Sequence, residues 1–173
     1  MNDLQNNEWR EFKMGNLFNI HTGGDLIISR IEKGDIPIIS HSISNNGVAG
    51  YTATLNGKKL FNRTTTISLA DRGNFYAFVQ KMDFYIGTRV KALEAKFPNC
   101  NSYILQFICP MINKQSAKFS YGNNATSGVE QITIMLPITN REIPDYEYME
   151  QYMRKKEQES LLRYLEYIEK REV

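Results

Sequence analysis

Asp83, Glu94 and Lys96 stand in a D-x10-E-x-K spacing. That is the skeleton with which a metal-dependent nuclease holds Mg²⁺ on two carboxylates beside the scissile phosphate. Composition weakens the match, because an E-x-K triplet is expected by chance about 0.6 times in a chain of this length. No proline precedes Asp83, and Gly87 interrupts the segment where such folds want a strand hairpin. His21 and His41 lie twenty residues apart with no HExxH and no cysteine at ligand spacing, which argues against a zinc site. The chain has no P-loop, no GxGxxG, no nucleophile elbow and no Asn/Asp-Pro-Pro-aromatic methyltransferase signature. No cofactor, metal or catalytic group is expected, and the nuclease reading stays as the minor alternative.

Three loops carry a different chemistry. "SHSISNNGVAGY" (40–51) follows the apolar run 36–39, "LADRGNFYAF" spans 69–78, and "FSYGNNATSG" spans 119–128. Each can be a turn, since Asn-Gly tolerates positive φ at both residues. Each can also touch something planar and polar. Arg72 and Asn74, on either side of Gly73, could bring a guanidinium and an amide into a DNA groove, where Arg pairs with guanine and Asn with adenine.

Charge points the same way. The net charge of +2 conceals a middle third, residues 58–118, at +7, between flanks at −2 and −3. A basic block within a nearly neutral chain is the electrostatic footprint of a polyanion partner. With 173 residues, 42% of them hydrophobic, the chain can form one cored domain with an appended element. Cys100 and Cys109 make no CxxC, so reduced thiols are expected. The start has no signal-peptide pattern and no run is long enough to span a membrane, so the expected location is cytoplasmic.

The elements that must position these residues read as α+β. Candidate strands are 18–22, 36–40, 64–69, 75–80, 89–93 and 131–136, short, β-branched and separated by Gly, Asn and Pro. One helix, 102–113, is embedded among them, with Tyr103, Ile104, Phe107, Ile108, Met111 and Ile112 at helical spacing. Pro110 predicts a kink or break in it. The expected architecture is a mixed, largely antiparallel sheet domain over residues 1–137, a linker over 138–144, and a long C-terminal helix within 145–173. That helix lacks Gly and Pro from Asp145 to Arg171, but residues 154–160 hold no apolar side chain, which breaks any continuous heptad.

The order of these features resembles the target-recognition half of the DNA-specificity (S) subunits of type I restriction–modification systems, and their type IIB and IIG relatives. The resemblance rests on "EWREFKMGNLFNIHTGG" (8–24), "GDIPIISHSISNNGVAGY" (34–51), "TTTISLADRGNFYAFVQ" (64–80), "INKQSAKFSYG" (112–122), "ITIMLP" (132–137) and the closing charged helix. Family members commonly hold two recognition domains; one is visible here. Many type I members follow "LP" with Pro-Leu-x-Glu-Gln, whereas Pro137 here leads into Ile138-Thr139-Asn140, closer to the type IIB/IIG relatives.

The resemblance implies duplex DNA and a DNA adenine methyltransferase subunit as partners, with no catalytic role for this chain. Ser42, Ser44, Asn45 and Asn46 would then meet the duplex, and Tyr51 would anchor the loop's return. Arg72, Asn74, Tyr121 and Asn123 would contribute from the other loops. Lys58, Lys59, Arg63, Lys114 and Lys118 would hold phosphates. An S-like fragment that only occupies the methyltransferase is the alternative within the family. One recognition domain with one helix could rebuild a two-domain subunit as a homodimer. The helix patches with Tyr146, Met149 and Met153 and with Leu161, Leu165 and Ile168 would pair antiparallel, holding two half-sites about one DNA turn apart, roughly 34–36 Å.

Overall fold

A computed structural model of the chain describes residues 7–26, 31–72, 75–119, 125 and 128–171. Asn74, Tyr121 and Asn123, and with them most of the third loop, lie outside the described residues.

The chain begins with strand β1 (Trp9–Lys13), a single helical turn α1 (Met14–Leu17) and strand β2 (Phe18–Thr22). Strands β3 (Ile36–Ile39), β4 (Val48–Thr52), β5 (Thr66–Ala70), β6 (Tyr76–Val79), β7 (Tyr85–Ile86) and β8 (Val90–Ala95) follow. Helix α2 (Ser102–Asn113), strand β9 (Thr133–Pro137) and helix α3 (Tyr146–Glu169) complete it. The strands form three sheets: a four-stranded one in the order β2-β8-β5-β6, a three-stranded one in the order β4-β3-β7, and the pair β1-β9. All pairings are antiparallel except β3 with β7. The fold is α+β and largely antiparallel, as its sequence pattern implies. Among the described residues no helix is long and apolar enough to cross a membrane.

Strand β5, "TISLA", is buried at every position. Alternation sends its Ile67 and Leu69, with Leu93 of β8, toward α2, where Ile104, Leu105, Ile108 and Ile112 complete the larger core. The opposite face carries Val90 and Ala92, covered by Ile39, Ile86, Phe61 and Phe84 in a second core. Each face of the sheet is thus closed by a different part of the chain.

Helix α2 has the bounds its periodicity predicts. Asn101 caps it, its side chain accepting from the N–H groups of Tyr103 and Ile104. Pro110 does not break it. Pro110 and Gln106 are both exposed, so the carbonyl that loses its i+4 donor faces water. The helix tightens into a 3-10 turn, Lys114–Lys118, directly afterwards.

Helix α3 spans 24 residues, about 36 Å at roughly 1.5 Å per residue. Asp145 stands as its N-cap, accepting from the Tyr148 N–H at 2.9 Å. Its first half belongs to the larger core: Met149 is 0% exposed, and Tyr146 stacks on Phe97 at a centroid distance of 4.0 Å. The polar stretch 154–160 marks where the helix leaves the sheet domain. There Tyr103 donates to Glu157 at 2.7 Å, and Arg154 lies over the Tyr103 ring while pairing with Glu150. Beyond Ser160, Leu161, Leu162, Tyr164, Leu165 and Tyr167 are exposed. The segment 138–144 is a tight turn, closed by a bridge between Ile138 and Pro144 and by Thr139 N–H donating to Ile143 O.

Three strands escape the sequence pattern. Strand β1 has only Trp9 and Phe12 turned inward between charges, β4 carries Gly50, and β7 is two residues long. None shows the four-residue apolar or alternating run by which a strand is recognised.

Candidate nucleic-acid interface

The register of the four-stranded sheet lines up His21, Ala92, Ser68 and Phe78, one from each strand, in a single row across the face opposite α2. At about 4.8 Å per strand the row spans roughly 14 Å. Polar groups gather at both of its ends.

At the β6 end lies the β3–β4 hairpin tip. Asn45 (φ 49°), Asn46 (φ 52°) and Gly47 (φ 80°) are successive left-handed residues, which asparagine and glycine tolerate best. A Cβ on Gly47 would sit 3.0 Å from both Ile39 Cγ2 and Ser40 O. Serine hydroxyls build the approach: Ser40 Oγ accepts from Ser42 N–H and donates to Gly47 O, and Ser42 Oγ accepts from Ser44 N–H. Beneath the tip, buried Gln80 donates to Asn46 O at 2.9 Å and to Ser68 Oγ at 2.7 Å. The loop is therefore shaped by its own hydroxyls and pinned from below. Its outward groups are left over: the Asn45 and Asn46 amides and the Ser44 hydroxyl donate and accept nothing among the described residues, and the preceding Ile43 stands 57% exposed. Tyr76 and Phe78, ring centroids 4.9 Å apart, continue this surface along the edge strand. Tyr51, on β4, is also exposed.

At the β2 end, His21 Nε2 and Lys59 Nζ both donate to Glu94 Oε2, at 2.8 and 2.7 Å. The Lys59 ammonium, first, and the His21 imidazole hold the Glu94 carboxyl below its ordinary pKa against the opposing effect of burial. Phe61 packs against both groups, 5.2 Å from the His21 ring and 5.3 Å from Lys59 Nζ. His21, Lys59 and Phe61 border a cleft of about 180 Å³ that also takes in Gly23, Gly24, Lys58 and Tyr85. Lys58 has no carboxylate partner among the described residues.

The turn bearing Arg72 is tied down by a buried ion pair. Lys91 Nζ lies 3.4 Å from Asp71 Oδ2 and donates to Thr22 Oγ1, joining β8, β5 and β2 at one sheet end. Asp71 N–H donates to the carbonyl of Arg89, itself left-handed at φ 63° with its side chain exposed. Alongside, Gly23 passes so close to β7 that a Cβ there would meet Gly87 O at 2.0 Å.

The remaining sequence candidates do not converge on this face. Arg63 donates from its N–H to Asp83 Oδ1 and from its guanidinium to Lys81 O, closing a turn. Lys114 and Lys118 belong to the 3-10 turn after α2, on the sheet's other side, where Asn113 grips the backbone of Ala77. The nuclease spacing dissolves in three dimensions. Asp83 serves Arg63, Glu94 serves His21 and Lys59, and Lys96 donates to Gly15 O. Both cysteines are free, and burial pushes each thiol up to about 12. On α3, buried Met149 is already committed to the chain's own core, while Leu161 and Leu165 remain exposed and Ile168 partly so.

The family model for the Type I restriction modification DNA specificity domain matches residues 6–165. The chain belongs to this family. It is 34% identical over 163 residues to the Type II restriction enzyme BgcI specificity subunit S.BcgI of Heyndrickxia coagulans, covering 91% of this chain and 46% of that protein. The chain thus spans about half the length of the curated relative it matches. Its fold is that of the type I S subunit from M. genitalium (TM-score 0.60, 18% identity, 98% of this chain and 44% of that one). The HsdS subunit from Thermoanaerobacter tengcongensis is also similar (TM-score 0.57, 15% identity, 91% and 39%). Specificity domains are the non-catalytic components of restriction–modification systems, consistent with the separate structural uses of Asp83, Glu94 and Lys96.

Asp71→Ala would strand a buried ammonium at the sheet end. The expected loss is about 3–5 kcal/mol of unfolding free energy in urea. A change below about 1 kcal/mol would show that the pair does not anchor the turn.

Proposed function

We propose that this specificity domain reads one half-site of a bipartite duplex DNA target and presents it to a DNA adenine methyltransferase partner in the cytoplasm. The observation that carries this reading is the pair of polar ends of the row: at one end the Asn45 and Asn46 amides, without a partner among the described residues, and at the other Lys58. Asparagine supplies both donor and acceptor, the pattern needed to pair bidentately with adenine in the major groove. Ser44 belongs to the hairpin tip, Tyr51 and Arg72 are exposed and would add contacts, and Ser42 shapes the loop from within. Lys58 and Lys59 supply position and affinity through phosphates. The chain contributes recognition, and the chemistry belongs to its partner.

Binding to a duplex selected from a random pool is expected to be sequence-specific and steeply salt-dependent. With about five phosphates neutralised, the log–log slope against salt is near −4 to −5. Affinity that is equal at low and high salt would contradict the reading. A fragment that merely occupies the methyltransferase would retain that partner and show no duplex preference.

Self-association is the second part of the proposal, with its surface narrowed. Since Tyr146, Met149 and Met153 pack on the chain's own domain, the pairing surface is Leu161, Leu165 and Ile168, met by the same residues of a second copy about a twofold axis. Such a dimer would read a palindromic target with two identical half-sites. Light scattering is expected to show concentration-dependent dimers for the full chain and monomers for a chain ended at Ser160, which keeps the core residues of α3. A full chain that stays monomeric at high concentration, with or without DNA, would favour a one-arm role beside a different recognition domain.

A further inference from the structure

The cleft at the β2 end has the chemistry of an oxyanion site. One wall is backbone, Gly23–Gly24, with no side chain to exclude a ligand; a Cβ on Gly24 would stand 3.5 Å from Lys58 Nζ. The other wall carries Lys58, and Lys59 over the Phe61 ring. Its volume of about 180 Å³ suits a phosphate group and is small for a nucleoside. Glu94 is the only carboxylate bonded to this cluster among the described residues, and it lies on the sheet side of Lys59, on β8.

We propose that this cleft seats a backbone phosphate of the duplex, and that Glu94 is the counter-ion that Lys59 exchanges for it. This rests on the DNA reading above and adds to it a defined phosphate seat and a reserve position for Lys59. The exchange is cheap. Lys59 and Glu94 are 48% and 29% exposed, and such solvated pairs contribute about 0–1 kcal/mol. When Lys59 turns outward, Glu94 keeps the His21 bond and is not left bare. Geometry supports the assignment. The cleft and the hairpin tip lie at opposite ends of one row of about 14 Å, comparable with the roughly 12 Å width of the major groove. A loop reading base edges from one end therefore places a flanking phosphate strand near the other.

Duplex titrations across a salt series test this with wild type, the double variant Lys58→Ala/Lys59→Ala, Glu94→Gln, and the controls Lys170→Ala and Glu130→Gln. Each exposed lysine that holds a phosphate contributes about 0.9 to the slope. The double variant is expected to reduce the slope by about 1.8, with thermal unfolding unchanged, and Lys170→Ala to leave it alone. Glu94→Gln, which keeps the shape and frees the lysine, is expected to tighten binding up to about fivefold, with a slope as in wild type and a gain larger than that of Glu130→Gln. An unchanged slope in the double variant, or equal gains from Glu94→Gln and Glu130→Gln, would overturn the phosphate seat while leaving DNA recognition standing. A wild type that binds no duplex would sink the DNA reading itself. In a separate arm, inorganic phosphate is titrated while the Gly24 amide resonance is followed. Saturable shifts with phosphate, together with none on adding duplex, would mark a free-anion site and overturn the assignment to DNA.

Discussion

The structure depends on burying the β5–β8 pair on both faces. A sheet with one wet face could carry its loops anywhere along its edges. Here α2 closes one face with Ile104, Leu105 and Ile108, and the Phe61–Phe84 cluster under the β4-β3-β7 sheet closes the other. The second cover is what brings the β3–β4 hairpin across the face to Gln80, and the Lys58–Phe61 segment onto His21. Both polar ends of the row thus follow from hydrophobic closure.

The two ends are held by different physics. At the hairpin tip, hydroxyl-to-backbone bonds and left-handed asparagines fix the loop, and Gln80 satisfies the Asn46 carbonyl from below. That spends the backbone's hydrogen-bonding capacity internally and leaves side-chain amides for outside partners, a preorganisation that lowers the ordering cost of binding. At the other end, ion pairs do the holding, and they are exposed enough to be traded. The Asp71–Lys91 pair is neither exposed nor tradable, and its work is to fix the turn from which Arg72 projects.

How much of this the sequence discloses varies with distance along the chain. Helix α2 and strand β2 emerge with their observed bounds because their signals are local: a 3.6-residue period with an Asn cap, and a run of strand formers ended by glycines. The hairpin's polar character is equally plain in Ser-Asn-Asn-Gly. Gln80 carries no local sign of an anchor, since its partners lie 12 and 34 residues away. The His21–Lys59–Glu94 cluster draws on three separate segments, and in the sequence Glu94 stands out only through a chance nuclease spacing. Met149 reads in the sequence as part of an apolar pairing patch; only the packing of α3 against α2 reveals it as core, and that moves the free apolar surface beyond Ser160. Lys114 and Lys118 show the limit of charge counting, because a basic block in sequence spreads over both sides of a sheet.

The central claim is that the β3–β4 hairpin tip and the Lys58–Phe61 segment, at the two ends of the row, meet the duplex together. Hydrogen exchange with and without a selected duplex tests it most directly. The account predicts slowed exchange over residues 42–47 and 58–61, with the exposed end of α3 unaffected by DNA in a chain ended at Ser160 or in full-length protein at monomeric concentration. Protection confined instead to the α2 side, around Trp9, Met111 and Lys114, would contradict it.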